Sequence, residues 1–203
     1  NDYYSLLGKI LAESKEEVNV AVLHPLRSAY LTYKRDAQYE GVYEIDENLR
    51  VLMSELVQKQ IPHHFVDETL LAKYGKVEDK KFVMGKCAYD YLILPKIYTM
   101  DKTTEKLLRE FVNAGGRVLL YDGKPEYLEG EKYAYDYLAS NVTMEEIRAD
   151  QPFYAAENAH VRTTVRRDEE GREFIYAVNL GEETEMTFTL KNGTSFRAYD
   201  LFT

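Results

Sequence analysis

Six side chains stand where this sequence could do chemistry or hold a ligand: His24, Arg27, Tyr30, Tyr33, Arg35 and Asp122. His24 directly follows the apolar run 18–23, and Asp122 directly follows the run 117–121. An imidazole titrates near neutral pH and a carboxylate can orient it, so the two together would equip a small hydrolase. Asp122 followed by Gly123 is better explained as a turn or a cap. Arg27, Tyr30, Tyr33 and Arg35 belong to a long polar loop expected at 24–44, which also carries Tyr39 and Tyr43. Loops of that length in compact domains are functional or docked against something. Tyr and Arg are also the types that enrich interface hot spots. The alternative is that these residues only cover the end of a sheet.

Other chemistries leave marks that are missing or weak. A phosphate or flavin cradle needs a Gly- or Ser/Thr-rich turn after the first strand, but residues 24–33 read HPLRSAYLTY, without glycine. A nucleophile elbow needs Cys or Ser on a sharp strand-to-helix turn, and residues 95–103 hold neither. Cys87 precedes that strand and reads as a small buried residue. His63 and His64 are adjacent, so on a strand they point to opposite faces and share a metal poorly. His24 and His160 fall in different regions. Asp67, Glu68 and Asp122 lie near strand ends, and a carboxylate pair roughly 5–10 Å apart would suit glycoside hydrolysis. Acidic residues are abundant here, however, and most are expected in solvent. No cofactor is called for.

Composition narrows the field further. The formal charge of −9 disfavours nucleic acid, which needs clustered Lys and Arg. The one compact basic cluster, at 162–167, is followed at once by Asp168, Glu169 and Glu170 and reads as a solvated hairpin. No stretch is long and apolar enough to span a bilayer. The single cysteine rules out a disulfide within the chain and suits a reducing, cytoplasmic compartment. The 18 tyrosines suit sugar stacking or a domain interface, and the absence of tryptophan makes a dedicated carbohydrate-binding module the weaker choice. The sequence opens at Asn1 with no charged-then-apolar leader, so either a leader has been removed or a longer protein has been cut.

The elements that position these residues follow from periodicity. Residues 2–17 place Leu6, Leu7, Ile10 and Leu11 on one helical face, and 18–23 reads as a buried strand. A helix is expected at 46–60 with Asp46 as cap or first-turn acid, then a short strand at 63–66 and a helical turn at 68–73 ended by Gly75. Residues 76–88 read as a small strand pair. Residues 89–123 form one β-α-β unit: a strand at 89–94, a helix capped by Asp101 or Thr103 with Leu107, Leu108, Phe111 and Val112 inward, a stop at Gly115-Gly116, and a strand at 117–121. Short helices are expected at 133–139 and 143–150. The pattern predicts a flavodoxin-like, doubly wound parallel α/β sheet. After Pro152 the grammar becomes an antiparallel β meander, with strands at 159–167, 172–179, 184–190 and 194–201 and a hairpin at Asn192-Gly193. Two regions result: 1–151, and 152–203, which must pack on the first or belong to a larger β domain.

Three stretches carry a resemblance: VAVLHPLRSAYLTY (20–33), YDYLILPKIYTMDKTTEKLLREFVNAGGRVLLYDGKPEYLEG (89–130) and EFIYAVNLGEETEMTFTLKNGTSFRAYDL (173–201). Together they resemble the class I glutamine-amidotransferase-like accessory domain of multidomain glycoside hydrolases. Such domains serve in trimerisation of bacterial β-galactosidases and recur in α-L-rhamnosidase-like and family 2 sugar-binding-like enzymes. The resemblance implies a non-catalytic docking domain whose nucleophile has been lost, with the catalytic carboxylates in a separate barrel. It therefore transfers no catalytic residue. The implied partners are other domains of the same polypeptide, further copies of the chain, or carbohydrate. A sugar-sensing module, or a free-standing hydrolase using His24 with Asp122, are the alternatives.

Overall fold

A computed structural model describes residues 2–35 and 40–191. In chain order its elements are α1 (Asp2–Ala12), β1 (Ser14–Glu16), β2 (Val20–Leu23), α2 (Leu26–Thr32), α3 (Glu40–Gln58), β3 (His64–Val66), α4 (Glu68–Tyr74), β4 (Gly75–Glu78), β5 (Lys81–Met84), β6 (Cys87–Tyr89) and β7 (Tyr91–Leu94). Then follow β8 (Thr99–Met100), α5 (Lys102–Asn113), β9 (Arg117–Leu120), β10 (Tyr127–Leu128), β11 (Glu131–Lys132), α6 (Met144–Ala149), β12 (Phe153–Ala155), β13 (Val161–Asp168), β14 (Glu173–Asn179) and β15 (Phe188–Leu190).

The centre is a four-stranded parallel sheet in the order β3-β2-β7-β9. Strands β2 and β7 are buried along their whole length, as near-continuous apolar runs require when both faces of a sheet are covered. Alternate side chains go to opposite sides. Ala21, Leu23, Leu92, Leu94 and Val118 pack with Leu71 of α4 and Leu107, Leu108 and Phe111 of α5. Val20, Val22, Tyr91 and Ile93 pack with Leu52 and Leu56 of α3 and Ile147 of α6. Burying each such side chain contributes about 1.5–3 kcal/mol, so these two layers fix the register of the sheet.

Antiparallel pieces surround this core. The β4-β5-β6 sheet turns at Asp79 and Lys80, both at positive φ, the geometry of a tight hairpin. It has three strands where the sequence suggested a pair. The β13–β14 hairpin pairs Val161 with Asn179 through to Arg167 with Glu173, and β1 adds to its outer edge. Strand β12 pairs with β15 over a third apolar cluster containing Phe153, Ala155 and Val165.

Several expectations are corrected. The stretch 24–44 is mostly helical: α2 starts after Pro25, and α3 begins at Glu40. Ile45, 3% exposed, adds one more buried residue ahead of Leu52 and Leu56 on the α3 stripe, so Asp46 lies inside the helix and is no cap. The first helix ends at Ala12. The Ser14 hydroxyl donates to the Ile10 carbonyl at 2.5 Å, and the backbone turns to pair with β13. Residues 133–139 form no helix. Tyr133, Tyr135 and Tyr137 recur at a period of two, and successive rings touch at 4.8 and 6.4 Å. The strand expected at 184–190 is reduced to β15. Tyr39, the Asn192-Gly193 hairpin and the strand at 194–201 lie outside the described residues.

Candidate functional site

The carboxyl ends of β2, β3, β7 and β9 define the edge where a sheet of this kind carries ligands. Helix α2 lies across that edge and is fastened from below. Ser28, fully buried, accepts from the backbone N–H groups of Tyr98 (2.8 Å) and Thr99 (3.1 Å) and donates to the Thr99 carbonyl (3.1 Å). Arg27 donates from Nε to the Asp101 carboxylate at 2.9 Å and from Nη2 to the Thr69 hydroxyl at 3.2 Å.

Asp101 is the N-cap of α5, yet its side chain makes no cap hydrogen bond, because Arg27 holds it. The N-terminus of α5 is served from another helix instead. Glu68, the first residue of α4 and only 3% exposed, accepts the Asp101 backbone N–H on Oε2 at 2.6 Å. In an ordinary capping box the third residue of the helix supplies that acceptor; here the position is Thr104. The Thr104 hydroxyl lies near enough to favour a Glu68 carboxylate, but Oγ1 is buried without a full hydrogen bond. Burial pushes the Glu68 carboxyl up to about 7, against the opposing pull of the Asp101 N–H.

The proposed site residues are distributed along this edge. His24 donates its backbone N–H to the Val66 carbonyl at 2.9 Å, and its ring stands edge-on to Phe65 with centroids 5.5 Å apart. Asp122, exposed, accepts from Lys96 Nζ at 3.1 Å, and Lys96 also reaches Glu44 at 3.5 Å. Glu44 in turn accepts from the Tyr98 hydroxyl at 2.7 Å, and these two partners hold its carboxyl below the usual range. Strand β7 separates the ends of β2 and β9, so His24 and Asp122 stand roughly 10 Å apart across the sheet, two strand spacings. No hydrogen bond or ion pair joins the two side chains: Asp122 is taken by Lys96 and the His24 ring rests on Phe65. Tyr30 and Tyr33 are 65% and 55% exposed, and Arg35 follows them at the surface.

The carboxylates read as a possible pair are occupied otherwise. Asp67 caps α4 by accepting from Thr69 and Leu70 N–H groups (2.8 and 3.2 Å), and Glu68 is the buried group just described. At the opposite edge, His63 Nδ1 lies 2.9 Å from the Ile61 carbonyl. A carbonyl only accepts, so Nδ1 carries the proton, and burial lowers the ring's basicity. His64 Nδ1 contacts the Tyr89 hydroxyl at 3.1 Å, and Nε2 lies 3.4 Å from Glu16. Cys87 is exposed, not buried: it sits beside the Gly85 turn, at the uncovered end of β6. The basic cluster is consumed structurally. Arg166 binds Ser14, and Arg167 binds Glu17 and Glu173. Among the described residues no group of three His, Cys, Asp or Glu side chains is arranged for a metal, and no helix is long and apolar enough to cross a membrane.

Sequence reasoning missed Glu68, Asp101 and Ser28 as members of one cluster. The only signal was their position just past strand ends.

No protein-family model and no curated protein sequence matches this chain. Its structure is similar to that of an apo exo-carrageenase GH42 from Bacteroides ovatus, with a TM-score of 0.53 at 11% identity, over 86% of this chain and 24% of that one. A β-galactosidase from Bacillus circulans sp. alkalophilus gives 0.44 at 13% identity, covering 92% of this chain and 27% of the other. Gan42B, a GH42 β-galactosidase from G. stearothermophilus, gives 0.39 at 14%, covering 86% and 24%. The chain thus spans about a quarter of the length of these structures. At 11% identity the likeness to the exo-carrageenase is one of fold alone: a mixed α/β unit matching about a quarter of that chain.

Proposed function

We propose that this chain is a non-catalytic accessory domain of a glycoside-hydrolase-like protein, acting by contact with a catalytic barrel, a further copy of itself or the wall of a sugar pocket. The observation that carries this reading is the closed carboxyl edge. Where an enzyme of this architecture would hold a nucleophile or an anion cradle, α2 is pinned down through Ser28 and Arg27. The charged groups around it are paired with one another. The strand order β3-β2-β7-β9, with helices on both faces, favours a flavodoxin-like, doubly wound and amidotransferase-like core that has lost its nucleophile. On this reading the chain divides between residues 151 and 152, and β1 lends a strand to the second part. Tyr30, Tyr33 and Arg35 then belong to a docking face, with other domains of the polypeptide or its own copies as partners.

The test is turnover. The chain is offered aryl-glycoside and aryl-ester substrates, and no rate above buffer is expected. Turnover that disappears in His24→Ala would refute the accessory reading.

A second reading, sugar binding without turnover, draws on a shallow groove of about 440 Å³ lined by Leu31, Thr32, Gly41, Tyr98, Tyr127 and Gly130. Its tyrosine rings suit a sugar face. Calorimetric titration with galactose separates the two: saturable heat that is lost in Tyr98→Ala supports binding, and none supports docking.

A further inference from the structure

The outer edge of β13 is interrupted at one rung. The Val165 carbonyl accepts the Glu17 N–H at 2.8 Å, where β1 ends, and the Val161 carbonyl accepts Gln60 Nε2 at 3.1 Å. Alternate residues of an antiparallel strand bond to the same side, so the N–H and C=O of Thr163 face that edge too. The even-numbered positions bond to the β14 side instead, as Asp168 does to Arg172 and His160 to Leu180. Among the described residues the Thr163 N–H and C=O have no partner. The register of β1 would bring Asn19 opposite Thr163, but the chain has left by then: the Asn19 carbonyl accepts from Asp90 and Tyr91. A cavity of about 190 Å³ lies here, lined by Thr163 together with Glu16 and Gln60. We propose that this cavity binds one free α-amino acid with a small aliphatic side chain, which completes the ladder as the rung opposite Thr163.

An amino acid carries the donor and acceptor of a strand residue. Paired antiparallel with Thr163, its ammonium donates to the Thr163 C=O and its carboxylate accepts the Thr163 N–H. The side chains beyond each end have matching charge. Along β13 the Thr163 N–H lies toward Arg162, and its C=O lies toward the end where β1 brings in Glu16. Both side chains line the cavity. Arg162 donates from Nη1 to the Ala159 carbonyl at 2.9 Å and, unlike Arg167 and Arg172, holds no carboxylate among the described residues. Glu16 has no Lys or Arg partner among them either; its neighbour is His64 Nε2 at 3.4 Å. His63 also lines the cavity, and with its Nδ1 proton given to the Ile61 carbonyl its Nε2 is an acceptor.

The remaining walls set size and length. Leu56, Ile61 and Val161 are buried and supply an apolar floor for the aliphatic side chain. At ~30 Å³ per water the cavity has the volume of about six waters, which suits a valine rather than a large ring. A peptide is excluded at both ends, since Gln60 closes the rung on one side and Glu17 the rung on the other. The inference does not depend on the accessory-domain reading.

Calorimetric titration of the chain with L-valine at neutral pH tests it. Saturable heat is expected, with affinity at least about tenfold weaker for isobutylamine, which lacks the carboxylate, and for isovalerate, which lacks the ammonium. Arg162→Gln and Glu16→Gln alter exposed side chains outside the core and should each weaken valine about tenfold or more. In nitrogen-15 spectra the Thr163 amide should move as valine is added. No saturation by about 10 mM valine would overturn the proposal. So would valine affinity unchanged in both variants, valylvaline bound as tightly as valine, or a Thr163 amide that stays in place while heat is released.

Discussion

Replacing Gln60 by alanine should uncouple the β13–β14 hairpin from the parallel sheet. Gln60 follows α3, is 3% exposed, and takes a left-handed φ of 57°. Its amide nitrogen faces the carbonyls of Val57 (2.9 Å), Asn158 (2.9 Å) and Val161 (3.1 Å), and its oxygen accepts from the Thr163 hydroxyl at 3.0 Å. Alanine would leave the Asn158 and Val161 carbonyls without this donor. Each such loss costs about 1–3 kcal/mol, and the adjoining cavity of about 190 Å³ would let water recover part of it. The expected net loss is about 2–4 kcal/mol. Glycine at the same site removes the same bonds but relieves the left-handed backbone, so Gln60→Gly should be about 1 kcal/mol less harmful than Gln60→Ala. Urea unfolding followed by circular dichroism and tyrosine fluorescence measures both. A Gln60→Ala variant within 0.5 kcal/mol of the parent, or a glycine variant worse than the alanine one, would refute this account of the clasp.

Ser28→Ala removes the oxygen shared by Tyr98, Thr99 and α2 and should cost about 2–4 kcal/mol in the same unfolding experiment, with α2 losing exchange protection first. Gly116→Ala puts a methyl group 2.5 Å from ring carbons of the fully buried Phe111, so a loss of about 2 kcal/mol or more is expected, read as a lower melting temperature. Arg167→Ala breaks exposed pairs with Glu17 and Glu173 and an exposed bond to the Gly171 carbonyl, and should change stability by less than about 1 kcal/mol, a difference that 1 M salt should largely erase.

The sequence was most legible where one pattern dominated. The β7-α5-β9 unit announced itself through two apolar runs, a stripe at Leu107, Leu108 and Phe111, and the Gly115-Gly116 stop. Helix α2 was hidden because its one fully buried member is a serine, so no apolar stripe marked it. The extension of α3 rested on Ile45 alone. Residues 133–139 form no helix because tyrosine favours extended chain and Tyr133, Tyr135 and Tyr137 recur at a period of two. Glu68 resembles any acidic residue at a helix start, and what distinguishes it is burial under an element 33 positions further on. Cys87 was expected inside because thiols usually are, but an edge strand offers no cover there. Pairings over such distances leave no local trace in a sequence.

Among the described residues strand β1 meets its partner at Arg166 to Asp168, about 150 positions later. Until β13 has formed, β1 is therefore an unsatisfied strand. That stitch closes a loop of about 150 positions, a late and slow step by its loop entropy. Assembly of the parallel sheet can precede it. The seam between β1 and the β13–β14 hairpin is then where folding of this unit finishes, and an unpaired β13 would offer a bare edge to the wrong neighbour.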